Sequence, residues 1–355
     1  MPTIDIPYLL RNTGEWLRGD GPSSEIVIST RVRLARNIAG HRFPLRLECA
    51  EKTELVEEIR EALADCPHGR NLTYFALEEM DAIERRLLVE RHLISREHEE
   101  AEGARGAAID ATETISVMVN EEDHIRLQAL RSGLQPAAAF EVADLLDNEL
   151  AERLEYSFHE KLGYLTACPT NLGTGMRVSV MVHLPALVMS RHVEKAFRAI
   201  HDLRMNIRGF YGEGTEAHGE FYQISNQIAL GRSEKEIIDD MQAAIEALIR
   251  YENASRQKLW ETDPAIIEDR VWRAYGMLRH ARLMTSEEAM KYLSSVRLGA
   301  HLGLLPDLKP QHINTIFIFS QPAHLQRSAG QELPPRERDM ARASYLRQQM
   351  PAGAA

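Results

Sequence analysis

Residues 114–130 read TISVMVNEEDHIRLQAL, and the rest of the chain is organised around them. Ile115, Val117 and Val119 alternate with Ser116, Met118 and Asn120, which predicts a strand. Ile125, Leu127 and Ala129 share one face of a second strand. Glu121, Glu122 and Asp123 fall between the two, where like charges repel and an unpaired carboxylate loses solvation. Taken alone, such a triplet is a solvated acidic turn. His124 and Arg126 follow at once, with Arg126 on the face opposite the apolar residues, so carboxylates and a fixed cation share one rigid edge. That edge suits a cationic group held beside an anionic one.

Outward from this edge, the segment IVIST at 26–30 predicts another strand, which runs into Arg31, Arg33 and Arg36. Arg31 and Arg33 are two residues apart and project to the same side. Two guanidinium groups aimed into one space suit a polyphosphate, because the planar fork matches phosphate oxygens in bidentate geometry. A surface strand paired with acids would give the same string, and the spacing alone leaves both open. Residues 168–175, CPTNLGTG, are small and turn-forming, and Arg177 then opens an alternating strand with Val178, Val180 and Val182. The pattern G-x-x-x-x-G-K-[ST] is absent, so phosphate binding would rest on arginines. Farther on, Gly209, Gly212, Gly214 and Gly219 predict a long loop that carries Glu213, a carboxylate deliverable to a site or an incidental surface charge.

Helices are predicted over 50–63, 77–94, 136–154 and 185–200, with the strand NLTYFAL between the first two. Ser233 and Glu236 form a capping box for a helix reaching about Gln257. Past a boundary near 260–264 the pattern turns helical, with Thr285 or Ser286 as a cap. The apolar segment INTIFIFSQPAHLQ, 313–326, is the exception among these helices and could line a partner surface. The last helix places Arg338, Asp339 and Arg342 on adjacent turns, a spacing that by itself describes a charged helix face.

Composition excludes several classes. The 355 residues, 44% hydrophobic and 27% charged, suit two globular domains, and a formal charge of -11 argues against a general nucleic-acid binder. Three cysteines, Cys49, Cys66 and Cys168, fit neither a disulfide framework nor a zinc ribbon. No signal-peptide pattern or bilayer-length apolar run is present, so a cytoplasmic protein without membrane contact is expected.

Five ordered blocks, STRVR at 29–33, LVERHLIS at 88–95, NEEDHIRL at 120–127, CPTNLGTGMR at 168–177 and RGFYGEG at 208–214, resemble the guanidino-phosphotransferases, or phosphagen kinases. Within them the protein-arginine kinases are the nearest likeness. The resemblance implies an α+β fold: a phosphagen-kinase-like catalytic domain over 1–257, with an antiparallel sheet flanked by helices, and a helical C-terminal domain over 265–355. It implies ATP and Mg²⁺ as cofactors, with no metal held by protein side chains alone. Arg31, Arg33, Arg126, Arg177 and Arg208 would cradle the phosphates. Their neighbours Ser29, Thr30, Val32, Val178, Ser179, Val180, Gly209, Phe210, Tyr211 and Gly212 complete the ATP-binding blocks. His92 matches an adenine-contacting histidine, and Met181 stands where phosphagen kinases place another. Glu122 and Glu213 match the carboxylates that orient the guanidinium, and Cys168 the reactive cysteine at the substrate end.

Two departures select the branch. The nucleotide strand begins too early for the helical N-terminal domain that encloses small guanidino substrates, so an open acceptor side is expected. In its place, Arg338, Asp339, Arg342 and Ala343 match the RDxxRA motif of phosphoarginine binding, a docking or allosteric site. The resemblance implies arginine-containing protein substrates, a transcriptional repressor among them, and a stress-response role in marking proteins for degradation. It also implies a homodimer or other homo-oligomer, an activator protein and a protease chaperone. A small-molecule guanidino kinase and a non-catalytic phosphoarginine-reading adaptor are the rival readings.

Overall fold

A computed structural model describes residues 4–209 and 218–351. In chain order the strands are β1 (Val27–Arg36), β2 (Thr73–Ala76), β3 (Gly106–Ile109), β4 (Ile115–Val119), β5 (Ile125–Ser132), β6 (Phe158–His159), β7 (Gly163–Tyr164), β8 (Met176–His183), β9 (Met205–Gly209) and β10 (Phe221–Asn226). The helices that precede the middle of the chain are α1 (Ile6–Leu9), α2 (Cys49–Asp65), α3 (Ala82–Glu90), α4 (Arg96–Glu100) and α5 (Pro136–Ala151). Next come α6 (Pro185–Met189), α7 (Val193–Asp202) and the long α8 (Glu234–Thr262). The remainder is helical: α9 (Pro264–His280), α10 (Ser286–His301), α11 (Pro310–Phe319), α12 (Pro322–Ala329) and α13 (Pro335–Gln349).

Eight strands form one antiparallel sheet in the order β2-β3-β4-β5-β1-β8-β10-β9, while β6 and β7 make a small separate hairpin. The central β1 aligns Arg31 with Leu130 on β5 and Ser179 on β8, and Arg33 with Gln128 and Arg177. Because side chains alternate, this register divides the sheet cleanly. Val32, Leu34, Leu127, Ala129, Val178, Val180 and Ile224 face a core with α2, α5 and α8. Arg31, Arg33, Arg126, Arg177 and Ser179 take the other face, one end of which differs. There Ile28, Leu130, Met181 and Phe221 are buried in a second core with Trp16, Leu17 and the helices α9 to α13. The helical C-terminal region thus roofs one end of the polar face and leaves the arginine end uncovered by that core.

Local chemistry explains the helix ends. Asp81 with Glu84, Ser233 with Glu236 and Thr285 with Glu288 each form reciprocal capping boxes. Prolines open α5, α9, α11, α12 and α13, where the missing N–H is not needed.

Three expectations need correction. The helix expected over 77–94 is confined to Ala82–Glu90, since Asp81 caps it late and His92, at φ 58°, leaves helical geometry. The helix expected over 185–200 is two, parted where Arg191 adopts φ 58°. The 313–326 segment is no exception to the helical pattern but forms most of α11 and α12. Ile313, Ile316 and Phe317 recur at helical spacing, and they fill the second core rather than line a free surface.

Candidate active site

The polar face is an electrostatic concentration of one sign. Arg33 and Arg177 are direct cross-strand neighbours, at a separation where like charges repel. Burial, then the charges of Arg126 and Arg177, lower the Arg31 guanidinium to about 10. Burial, with Arg31 and Arg126 next, drives Arg33 well below its ordinary value. Neutral groups orient these heads: Arg31 Nε donates to Ser179 Oγ at 3.4 Å, and an Arg177 terminal nitrogen donates to Ser225 Oγ at 3.2 Å. Arg208, aligned with Gln223 on β10, extends the same face toward the sheet edge.

At one border of this face stands the acidic turn. Glu121 takes both of its contacts with Arg126 from one guanidinium nitrogen, at 2.5 and 2.6 Å, and also accepts from Ser95 Oγ and from the backbone N–H of Glu122. Burial would raise its carboxyl, but Arg126 and these donors outweigh burial and hold it at about 2. The same pairing keeps Arg126 above its ordinary value although burial works the other way. Glu122 is the opposite case. Burial raises its carboxyl, Arg126 draws it down, and Asp123 and Glu121 raise it further, leaving it above the ordinary value. The two neighbouring glutamates are thus shifted in opposite directions by their surroundings.

Asp123, which burial likewise raises, ties the loop before Cys168 to the turn. It accepts from Asn37 Nδ2 at 2.6 Å and from the Ala167 backbone at 2.7 Å, while Asn37 also donates to the Leu165 carbonyl. Cys168, next in the chain, lies partly exposed with its Sγ 3.0 Å from Thr170 Oγ1. The loop with Cys168 is therefore pinned beside Glu122. At the other border, His92 meets Trp16 edge-on at 5.1 Å and its carbonyl accepts from Gln128 at 2.7 Å. Burial, then the charge of Arg31, depress its imidazole to about 3, so the ring is neutral at working pH.

The structure does not bring every expected residue to this face. Val32, Val178 and Val180 are fully buried on the opposite side, and Thr30 donates its hydroxyl to the Gly133 carbonyl, because each lies one residue out of phase with the arginines. Ser29, Ser179 and Met181 are in phase, though Met181 is taken into the second core. Gly209 closes β9 opposite Tyr222. Phe210, Tyr211, Gly212 and Glu213 lie outside the described residues. Arg36 belongs to the apolar side. It binds Asp147 through Nε at 3.0 Å and a terminal nitrogen at 2.7 Å, and it stacks on Tyr164 with 3.6 Å from its central carbon to the ring centroid.

Away from this site, Arg338 and Asp339 of α13 are half-buried, whereas Arg342 and Ala343 are buried. Arg342 donates to the Ser320 carbonyl (2.9 Å), the Met284 carbonyl (2.9 Å) and Asp339 (2.7 Å). Its guanidinium thus fixes Asp339 and the turn between α11 and α12.

Sequence reasoning missed Ser95, Asn37, Gln128 and Trp16. Ser95 was legible as the cap of α4, but its second role as a donor to Glu121 depends on a contact across 26 positions.

Comparison with known proteins places this geometry. Residues 54–255 match the ATP:guanido phosphotransferase C-terminal catalytic domain, and residues 264–354 match the protein-arginine kinase McsB C-terminal domain. The protein-arginine kinase of Symbiobacterium thermophilum is 45% identical over 347 residues, covering 96% of this chain and 98% of the relative. That of Bacillus subtilis is 41% identical, covering 94% and 93%. Among solved structures, lombricine kinase aligns with a TM-score of 0.59 at 30% identity over 71% of each chain. A duplicated taurocyamine kinase of Schistosoma mansoni, with bound transition state analog components, aligns with a TM-score of 0.60 at 28% identity over 75% of this chain and 39% of its own.

Proposed function

The chain belongs to the ATP:guanido phosphotransferase family, and on that premise we propose that it transfers the γ-phosphoryl group of ATP to arginine side chains of proteins. The observation that carries this reading is the pairing of a carboxylate-poor arginine face with the Glu122 carboxyl at its border, which burial raises above its ordinary value. Such a face is costly in the absence of an anion and is complementary to a triphosphate. Arg31, Arg33, Arg126, Arg177 and Arg208 hold the phosphate chain, and His92 contacts the base.

Phosphoryl transfer asks for alignment and charge neutralisation rather than covalent assistance. Glu122 binds the incoming guanidinium and orients one Nη nitrogen toward the γ-phosphorus. As the N–P bond forms, the bond from phosphorus to the β,γ-bridging oxygen breaks, and ADP departs with that electron pair. The proton lost by Nη passes to Glu122, whose raised carboxyl range matches the task. Glu213 is the second carboxylate in this reading, and Cys168 lines the acceptor end. Among the described residues no group of three ligating side chains converges on a metal position. Mg²⁺ bound with ATP would neutralise charge on the transferred group.

Arg338 and Asp339 form the accessible part of a phosphoarginine contact, with buried Arg342 and Ala343 setting their place. The substrates are arginine-containing proteins, with a transcriptional repressor, an activator protein, a protease chaperone and a second copy of the chain as further partners. No helix among the described residues is long and apolar enough to cross a membrane.

The test is incubation with γ-labelled ATP and an arginine-rich protein, beside its arginine-to-lysine counterpart. Label that enters only the arginine protein, survives alkali and is lost in acid supports the reading. Acid-stable label, or equal labelling of both proteins, overturns it.

A further inference from the structure

Glu90, Arg91 and His92 are consecutive where α3 ends, and the C-terminal helices grip this tripeptide. The Glu90 carboxylate accepts from the backbone N–H of Ala323 at 2.8 Å, the N–H of His324 at 3.2 Å and His324 Nδ1 at 2.8 Å. All three donors belong to the first turn of α12, whose otherwise unpaired N–H groups and positive dipole end the carboxylate completes. Fully buried Arg91 donates to the carbonyls of Leu9 (2.9 Å) and Asn12 (2.8 Å), pairs with Glu113, and points Nη1 at His324 Nε2 across 3.3 Å. This contact fixes the His324 tautomer, with the proton on Nδ1 facing Glu90 and a lone pair on Nε2 facing Arg91. Burial lowers the His324 imidazole, which agrees with a neutral ring.

His92 inherits that grip. Its backbone sits at φ 58°, in the left-handed region that few non-glycine residues adopt. Its ring rests against Trp16, whose neighbour Leu17 accepts at its carbonyl from Asn314 of α11. Trp16, Leu17 and Met181 all belong to the core built with the C-terminal helices. The base end of the arginine face is thus bounded by groups that the C-terminal region holds in place.

We propose that Glu90 and His324 are positioning residues for the nucleotide: the first turn of α12, docked on Glu90, sets His92 against the purine, so the C-terminal helical region completes the base end of the ATP site. The inference rests on the reading of this face as an ATP site, and the nucleotide contact itself remains with His92.

The test uses the full chain in a Trp260→Phe, Trp272→Phe background, which leaves Trp16 as the one tryptophan. Glu90→Gln replaces an acceptor of three N–H groups by a side chain that must turn an amide donor toward them. Its expected effect is a rise of about tenfold in the ADP dissociation constant and the ATP KM, a changed Trp16 emission before nucleotide is added, and a narrowed preference for ATP over GTP. The kcat and the KM for the protein substrate should stay within about twofold. Glu90→Asp, which keeps the charge, should recover part of the ADP affinity. His324→Gln keeps the two backbone donors and should give a smaller shift of the same sign, which serves if Glu90→Gln does not fold. Folded variants with unchanged ADP affinity and unchanged Trp16 emission overturn the proposal, as does a uniform loss across kcat and both KM values. ADP titration followed by Trp16 emission needs no turnover. A wild-type chain that binds ADP but labels no arginine therefore refutes the transferase reading and leaves this one standing.

Discussion

Replacing Arg31 by methionine should stabilise the protein and cripple nucleotide binding, two effects of opposite sign from one substitution. Arg31 is held at about 10 against an ordinary 12.5, through burial and the charges of Arg126 and Arg177. Each pH unit corresponds to about 1.4 kcal/mol, so roughly 3 kcal/mol opposes keeping the cation in the folded chain at neutral pH. For a cation whose folded value is lowered, that penalty is present at every pH below about 10 and fades as pH rises toward 12.5. Screening at the half-buried head reduces it, and a gain of about 1–3 kcal/mol is expected from urea denaturation of Arg31→Met without ligand. The same change removes charge-assisted contacts worth about 1.5–3 kcal/mol, so ATP affinity by calorimetry should fall by roughly 10- to 150-fold. Arg36→Met is the control. It strands Asp147 in the core beneath the sheet and should cost about 3–5 kcal/mol. An Arg31→Met protein that is less stable than wild type, or that binds ATP unchanged, refutes the idea that these arginines are held against their own repulsion for a phosphate chain.

Four further outcomes follow from the turn and from α13. Glu122→Gln should lower kcat by about 100-fold or more while ATP affinity changes by less than about twofold; in wild type the acid limb of kcat/KM should lie above the ordinary 4.5 of a glutamate, and this limb should vanish in the variant. Glu121 has a folded value depressed to about 2, so it contributes about 3 kcal/mol of stability above pH 4.5 that is lost as pH falls toward 2. Acid unfolding curves should show this loss in wild type, and Glu121→Gln should carry a similar deficit already at pH 7. In α13, Arg342→Met should destabilise by about 3 kcal/mol or more, because the Ser320 and Met284 carbonyls and Asp339 lose a buried donor. Arg338→Ala should leave melting unchanged yet weaken binding of a phosphoarginine peptide, and equal peptide affinity would remove Arg338 from that site.

The central strands were legible because their alternation is strict: Arg31 and Arg33 against Val32 and Leu34 declare a two-faced strand, and the structure uses both faces. Contiguous motif blocks were less informative than phase. Thr30, Val32, Val178 and Val180 sit inside the ATP blocks of the sequence, yet their side chains point into the opposite core. Arg36 looked like a third member of the basic cluster, and only the register shows that it serves Asp147 and Tyr164 instead. The three acids of the turn could not be told apart from composition. Arg126 and Ser95 make Glu121 a fixed anion at neutral pH, while Asn37 and Ala167 make Asp123 a tether. The capping box at Ser233 was readable because caps are local, whereas the sequence left Thr285 and Ser286 both open as the cap that the structure gives to Thr285. Helix α11 was not, since a dense apolar run carries strand and helix periodicities together until the packing of Ile313, Ile316 and Phe317 selects one.

The most direct test of the account is ³¹P NMR at neutral to alkaline pH, with Mg-ATP and either an arginine-rich protein or free arginine. The account predicts a phosphoramidate resonance on the protein that disappears in acid, and none in a Glu122→Gln sample. A resonance with free arginine alone, or one that persists in the Glu122→Gln sample, would contradict it.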